Sequence, residues 1–161
     1  YFYRASDLEA LSQLEPRIRA CFEAGAMATG ATLEIQPLGP PYSEFAHDID
    51  LVEKYRKNAE ALGRTFDSTP RRGAGSTDMA NVSLLMPTIH PMLGLDSGSA
   101  VNHQPEFAAY CRTPVADRAA VEGALSMALT AVDASTDEAT RARLLSHETL
   151  YSEIQEYPWS F

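Results

Sequence analysis

Apolar residues recur at helical spacing in several stretches of the chain and alternate or cluster as strands do in others. Leu8, Leu11, Leu14, Ile18, Cys21, Phe22 and Ala26 stand three and four residues apart, the spacing of one helix face. Ser6 and Glu9 have the Ser-x-x-Glu form of a capping box, and Gly30 is placed to close the run in a left-handed conformation. Pro16 lacks an amide hydrogen and clashes with the preceding turn, so it is expected to kink this helix or divide it. On either side, Phe2-Tyr3-Arg4 reads as a strand, and Thr32 to Gln36 alternates with Leu33 and Ile35 on one face. Residues 1–36 are thus expected as strand, helix, strand.

Pro37, Gly39, Pro40 and Pro41 form a stiff connector where helix and sheet are both disfavoured, which sets the expected domain boundary: 1–41, then 42–161. Beyond it, Leu51, Val52, Tyr55, Ala59 and Leu62 make a helical apolar face, with Asp48 or Asp50 as cap and Gly63 as stop. Residues 64–75 lack periodicity and are expected as loop, with room for one short buried strand. Val82 to Met86 reads as a short strand, and Thr88 to Leu95 alternates around Pro91, which confines it to a sheet edge or bulge. Pro105 to Arg112 is expected as a short helix. Val121, Leu125, Ala128, Leu129 and Val132 give a long amphipathic helix, and Ser135-Thr136-Asp137-Glu138 caps another in which Leu144, Leu145, Leu150, Tyr151 and Ile154 face inward. The order is mixed α and β, so the fold class expected is α/β.

Thirteen basic against 22 acidic side chains give 161 residues a net charge of −9, which repels phosphate backbones and anionic bilayers. Nucleic-acid and membrane-surface roles are disfavoured. No apolar run approaches the roughly 20 residues of a membrane-spanning helix, and no signal peptide is evident, so a cytoplasmic location is the expectation. Cys21 and Cys111 lack the spacing of a disulfide framework or zinc clip and are expected to be buried thiols. The chain opens on Tyr1 within a strand-like run, so it is expected to start inside a domain.

Chemistry concentrates in two places. Gly75-Ser76-Thr77-Asp78 is a polar loop before an apolar run, and it reads as a helix cap, a phosphate nest or an active-site loop; without a P-loop lysine, nucleotide binding is disfavoured. His103 sits in the polar loop Val101-Asn102-His103-Gln104 that turns into a helix, a position from which loops present metal ligands. A hydrolytic zinc site needs three or more protein ligands and a position open for water, so the partners of His103 must lie elsewhere. His90, before Pro91, faces either a cleft or the core, whereas His47 and His147 read as solvated. Arg4, ending an apolar segment, is placed either to clamp a carboxylate bidentately or to make a surface ion pair. Neither a Gly-x-Ser-x-Gly elbow nor a cysteine with a histidine close by in sequence offers a covalent nucleophile.

Gly75-Ser76-Thr77-Asp78-Met79-Ala80-Asn81-Val82-Ser83, Pro87-Thr88-Ile89-His90-Pro91 and His103-Gln104-Pro105-Glu106-Phe107-Ala108 occur in the order and spacing of one family. With Ala24 to Gly30 and Tyr55 to Gly63 also fitting, the chain resembles the zinc-dependent aminoacylase and carboxypeptidase-G family of metallopeptidases, most of all its amidohydrolase branch similar to aminobenzoyl-glutamate hydrolase. The resemblance implies an α/β catalytic domain interrupted by a ferredoxin-like lid that commonly makes a homodimer. Residues 1–41 then correspond to the end of the lid and 42–161 to the C-terminal part of the catalytic domain. It further implies Arg4 as the lid arginine that holds the substrate carboxylate, Ser76, Thr77 and Asp78 as lining the same cleft, and His103 as the last ligand of a two-zinc centre.

The family's His-x-Asp motif, adjacent Glu-Glu pair and further acidic or histidine ligand have no counterpart in this chain. No catalytic residue is therefore expected within it. The reading that results is the C-terminal part of a metal-dependent amidohydrolase cleaving an amide bond next to a free carboxylate, with the N-terminal half of the same protein as its necessary partner and the chain alone inactive. The alternative is a non-catalytic interaction or dimerisation module derived from that family.

Overall fold

Aspartate and threonine side chains start the longer helices of the chain, each by accepting a hydrogen bond from an amide that the helix leaves unpaired. Asp7 accepts from Ala10 N at 2.7 Å, Asp48 from Leu51 N at 3.0 Å, Thr113 from Ala116 N at 3.4 Å and Asp137 from Thr140 N at 2.8 Å. The computed structural model describes residues 1–66 and 75–146. Among them lie six helices: α1 (Leu8–Thr29), α2 (Ile49–Ala61), α3 (Met79–Ser83), α4 (Pro105–Tyr110), α5 (Pro114–Thr136) and α6 (Glu138–Leu145). None is long and apolar enough to cross a membrane.

The chain divides into two units, residues 1–46 with 75–86 and residues 47–66 with 87–146. In the first unit, α1 starts one residue later than the capping box implies, at Asp7, while Ser6 donates to the Asp7 carboxylate at 2.8 Å. It runs unbroken through Pro16, so the expected division does not occur; strong helix formers on either side carry the helix across the one amide that proline removes. Gly30 closes it at φ 67°, in the left-handed region that glycine enters without steric cost. No residue of α1 is buried.

The second unit has the interior. Tyr55 and Ala59 of α2 are buried, as are Ala119, Ser126, Thr130 and Ala134 of α5, and α2 packs on α5. Small residues at this seam let two helices approach closely. Their hydroxyls stay satisfied in the interior because Ser126 donates to Glu122 O at 2.8 Å and Thr130 to Ser126 O at 2.7 Å. Asn58 of α2 donates to Asp133 of α5 at 2.8 Å, and Arg64 pairs with Glu122 at 2.7 Å while donating to Gly94 O at 3.0 Å. Gly123 of α5 is fitted against Leu93, whose Cδ2 would lie 3.1 Å from an added Cβ.

Several expectations are corrected. Among the described residues no strand forms: residues 1–5 and 31–36 are irregular, and residues 82–86 begin as the end of α3 and continue as a turn. Strand amides and carbonyls need a neighbour to pair with, and among the described residues the one bridge outside helices is an isolated parallel contact of His47 with Thr88. Of the expected strand, helix, strand over residues 1–36, only the helix forms. The apolar stripe of α5 also faces outward, with Val121 66%, Leu125 43% and Val132 53% exposed. It lies opposite the small-residue seam at about 3.6 residues per turn. Leu145 is exposed on α6, and Leu150, Tyr151, Ile154 and His147 lie outside the described residues. Both cysteines are exposed, Cys21 on the unburied α1 and Cys111 at the open end of α4.

Candidate functional site

The polar loop before α3 is held by side chains within the first unit. Asn81 of α3 donates to Pro41 O at 3.1 Å and accepts from Ser43 N at 3.3 Å, while Ser83 accepts from Ala46 N at 2.9 Å and donates to Ala80 O at 2.6 Å. The same 41–46 segment reaches the start of α1, where Glu44 accepts from Leu8 N at 3.1 Å. These bonds tie the loop and the first turn of α1 to one irregular strip of backbone. Through them residues distant in sequence become neighbours.

Arg4 and Ser76, 72 residues apart, are joined directly: the Arg4 guanidinium donates to the Ser76 hydroxyl. Both side chains are exposed. Thr77 takes over the capping of α3, its hydroxyl accepting from Met79 N at 3.3 Å and its carbonyl from Ala80 N at 3.1 Å. Asp78, although at the N-cap position, makes no cap hydrogen bond with its side chain. Two of the four residues expected at the carboxylate end of a substrate are therefore in contact, and the other two continue the same loop. An exposed guanidinium beside a hydroxyl is a ready binding point for a planar carboxylate.

His103 belongs to the second unit. Its φ of 66° is the left-handed value that non-glycine residues seldom take, and its exposed ring stands two residues before Pro105 begins α4. The turn leading to it is fixed by Ser97, whose hydroxyl donates to Ala100 O at 2.7 Å, and by Gly98 at φ 60°. Among the described residues no group of three or more histidines, cysteines or acids is gathered closely enough to hold a metal ion. The described residues do not by themselves fit the zinc that the resemblance implies. His90 is exposed and forms interactions of its own.

A charged cluster that sequence reading missed joins α2 and α6. Arg143 grips Asp48 through two contacts at 2.6 and 3.0 Å and reaches Asp50 at 3.1 Å, while Thr140 donates to Asp50 at 2.7 Å and Lys54 to Asp50 at 2.9 Å. The Lys54 ammonium, with help from Thr140 and Arg143, holds the Asp50 carboxyl down at about 2. Burial pushes Asp48 upward, but Arg143 and the Leu51 amide outweigh it and leave the carboxyl below its ordinary range. Only the capping role of Asp48 was visible as a signal; its pairing with a residue 95 positions on was not. Every member has a partner, so the cluster reads as a structural clasp.

No protein-family model matches the chain. Two curated proteins do: Xaa-Arg dipeptidase of Mus musculus, 31% identical over 136 residues, and Xaa-Arg dipeptidase of Homo sapiens, 32% identical over 136 residues. Each match takes in 83% of this chain and 31% of the relative, so the chain spans about a third of the length of the curated relatives it matches. The likeness runs through most of the chain and supports a peptidase relationship.

Proposed function

We propose that the chain is part of a metal-dependent amidohydrolase or peptidase of the aminoacylase and carboxypeptidase-G kind, hydrolysing an amide bond next to a free carboxylate. Of the substrate types this covers, N-acyl-amino acids, aminobenzoyl-glutamate and dipeptides, the names of the relatives favour dipeptides ending in arginine. The observation that supports the reading is the contact of Arg4 with Ser76, which brings a guanidinium and a hydroxyl together from positions 72 residues apart. Arg4 binds the substrate carboxylate, Ser76 orients the guanidinium, and Thr77 fixes the loop through its bond to Met79 N. His103 contributes one imidazole to a zinc centre whose other ligands lie in polypeptide outside this chain. In this reading residues 1–41 belong to a lid that makes a homodimer, residues 42–161 to the catalytic domain, and the protein works in the cytoplasm.

Arg4→Ala in the full-length protein should lower kcat/KM for alanyl-arginine by about 100-fold, since a lost charge-assisted contact costs about 1.5–3 kcal/mol and misplaces the scissile bond. His103→Ala should remove about one equivalent of bound metal. Unchanged kinetics in the first variant and unchanged metal in the second defeat the two assignments separately. The 161-residue chain alone should bind no zinc stoichiometrically and cleave nothing; turnover by it would overturn the assignment of the missing groups.

A second reading, a non-catalytic association module, is favoured by the outward stripe of Val121, Leu125 and Val132. A full-length sequence that lacks His-x-Asp and Glu-Glu motifs selects it.

A further inference from the structure

Pro41 O and Ser43 N stand two residues apart on the irregular strip 41–46, and backbone groups of this kind need partners. Among the described residues no strand supplies them. The half-buried side chain of Asn81 does, donating to Pro41 O at 3.1 Å and accepting from Ser43 N at 3.3 Å. A carboxamide carries a donor and an acceptor side by side, where an apolar side chain satisfies neither group and an ionised aspartate only the amide. Farther along the strip, Ser83 accepts from Ala46 N at 2.9 Å and Glu44 accepts from Leu8 N at 3.1 Å. The strip is thus clasped to α3 by Asn81 and to the first turn of α1 by Glu44. Arg4 and Ser76, whose side chains meet, each lie within five residues of one of these clasps.

We propose that Asn81, with Glu44 as its counterpart at α1, is a positioning residue: by clasping the strip 41–46 it sets where the Arg4 guanidinium meets the Ser76 hydroxyl, and through Arg4 it governs the grip on the substrate carboxylate. The proposal rests on the carboxylate-binding reading above and deepens it from the residues that touch the substrate to the residue that places them. Packing cannot do this placing, because α1 buries no residue and Arg4 and Ser76 are both exposed on irregular backbone. Hydrogen bonds to the strip remain as the means of fixing the two segments against each other. The demand on them is strict, since a misplacement of about 1 Å is enough to cost up to about 100-fold in rate.

The test uses the full-length protein and compares alanyl-arginine with alanyl-argininamide, which lacks only the free carboxylate. Asn81→Ala should lower the kcat/KM preference for the free acid by about 10-fold, the size of one to two hydrogen bonds. The loss should appear as a raised KM for alanyl-arginine, with the amide affected by less than about 2-fold. In an Arg4→Ala background the same substitution should lower the preference no further, because a residue that acts through Arg4 then has nothing left to position. Glu44→Ala, at an exposed side chain, should lower the preference by about 2- to 5-fold, and Glu44→Gln, which keeps an acceptor for Leu8 N, should retain it. Equal losses on both dipeptides, or a further drop in the Arg4→Ala background, would make Asn81 a purely structural residue and overturn the proposal. If Asn81→Ala does not fold, an unchanged preference in Glu44→Ala overturns it instead. Wild-type protein that prefers the free acid, with the preference intact in Asn81→Ala, defeats the Asn81 assignment alone, whereas wild-type protein that cleaves the two dipeptides alike defeats the role of Arg4 and the proposal with it.

Discussion

The two units keep their order by different means. Residues 1–46 with 75–86 have a 22-residue helix with nothing buried, and their loops are tied by side chains bonded to backbone: Asn81 to Pro41 and Ser43, Ser83 to Ala46, Glu44 to Leu8. Residues 47–66 with 87–146 have a packed seam of Tyr55, Ala59, Ala119, Ser126, Thr130 and Ala134, closed by ion pairs. Hydrogen bonds at the surface each contribute modestly and trade readily with water, whereas close packing fails sharply when volume changes. The residues proposed to meet the substrate carboxylate belong to the unit with the least packing. Local stability is lowest where few apolar contacts are buried, and binding segments are drawn from that end of the range.

A matched pair of substitutions tests this contrast most strongly. Ala59 is 1% exposed against α5, so Ala59→Leu must force three added carbons into a filled seam and should cost about 1–3 kcal/mol. Ala24→Leu, on the exposed surface of α1, should change stability by less than about 0.5 kcal/mol. Urea unfolding of the full-length protein measures both. Similar costs at the two positions would mean that α1 is as closely packed as α2, and the contrast would collapse.

The caps behind this contrast were readable from local sequence. Asp48, Gly30, Gly63 and Pro105 act where their chemistry places them, because a cap is satisfied within one turn. The strands were not, since a strand is completed only by a partner segment, and among the described residues Thr88 alone finds one, in His47. Periodicity also failed on α5. It located the apolar stripe correctly, but the seam with α2 uses alanine, serine and threonine, which a hydrophobic pattern does not mark as interior. The contact of Arg4 with Ser76 was anticipated only as two residues of one cleft, by family resemblance, and no spacing rule links positions 72 apart.

Arg143 sharpens the comparison at intermediate scale. Its guanidinium joins α6 to the cap of α2 by three contacts, so Arg143→Met should cost about 1 kcal/mol, the upper end for a surface ion pair, because a network is broken. Hydrogen exchange of the first α2 amides should accelerate, while amides of α1 in the other unit should not respond. Acceleration in both would show that the units share one cooperative transition.

The smallest effect is a pH dependence confined to the clasp. Asp50 is held at about 2 by Lys54, Thr140 and Arg143, below the ordinary 3.8. A carboxyl depressed in the folded state contributes stability that is fully present above its unfolded value and is lost as pH falls through the folded one. The window is therefore about pH 4 down to about pH 2, and Asp48 and Asp137, lowered by Arg143 and by the Thr140 amide, act in the same direction. These groups lie near the surface, so solvent screens the gain and it stays small. Asp50→Asn should flatten the decline in α2 protection across that window relative to wild type, with no change above pH 5. An identical acid profile in the variant would mean that Asp50 is not held by its neighbours, and the clasp would then contribute through Asp48 and Arg143 alone.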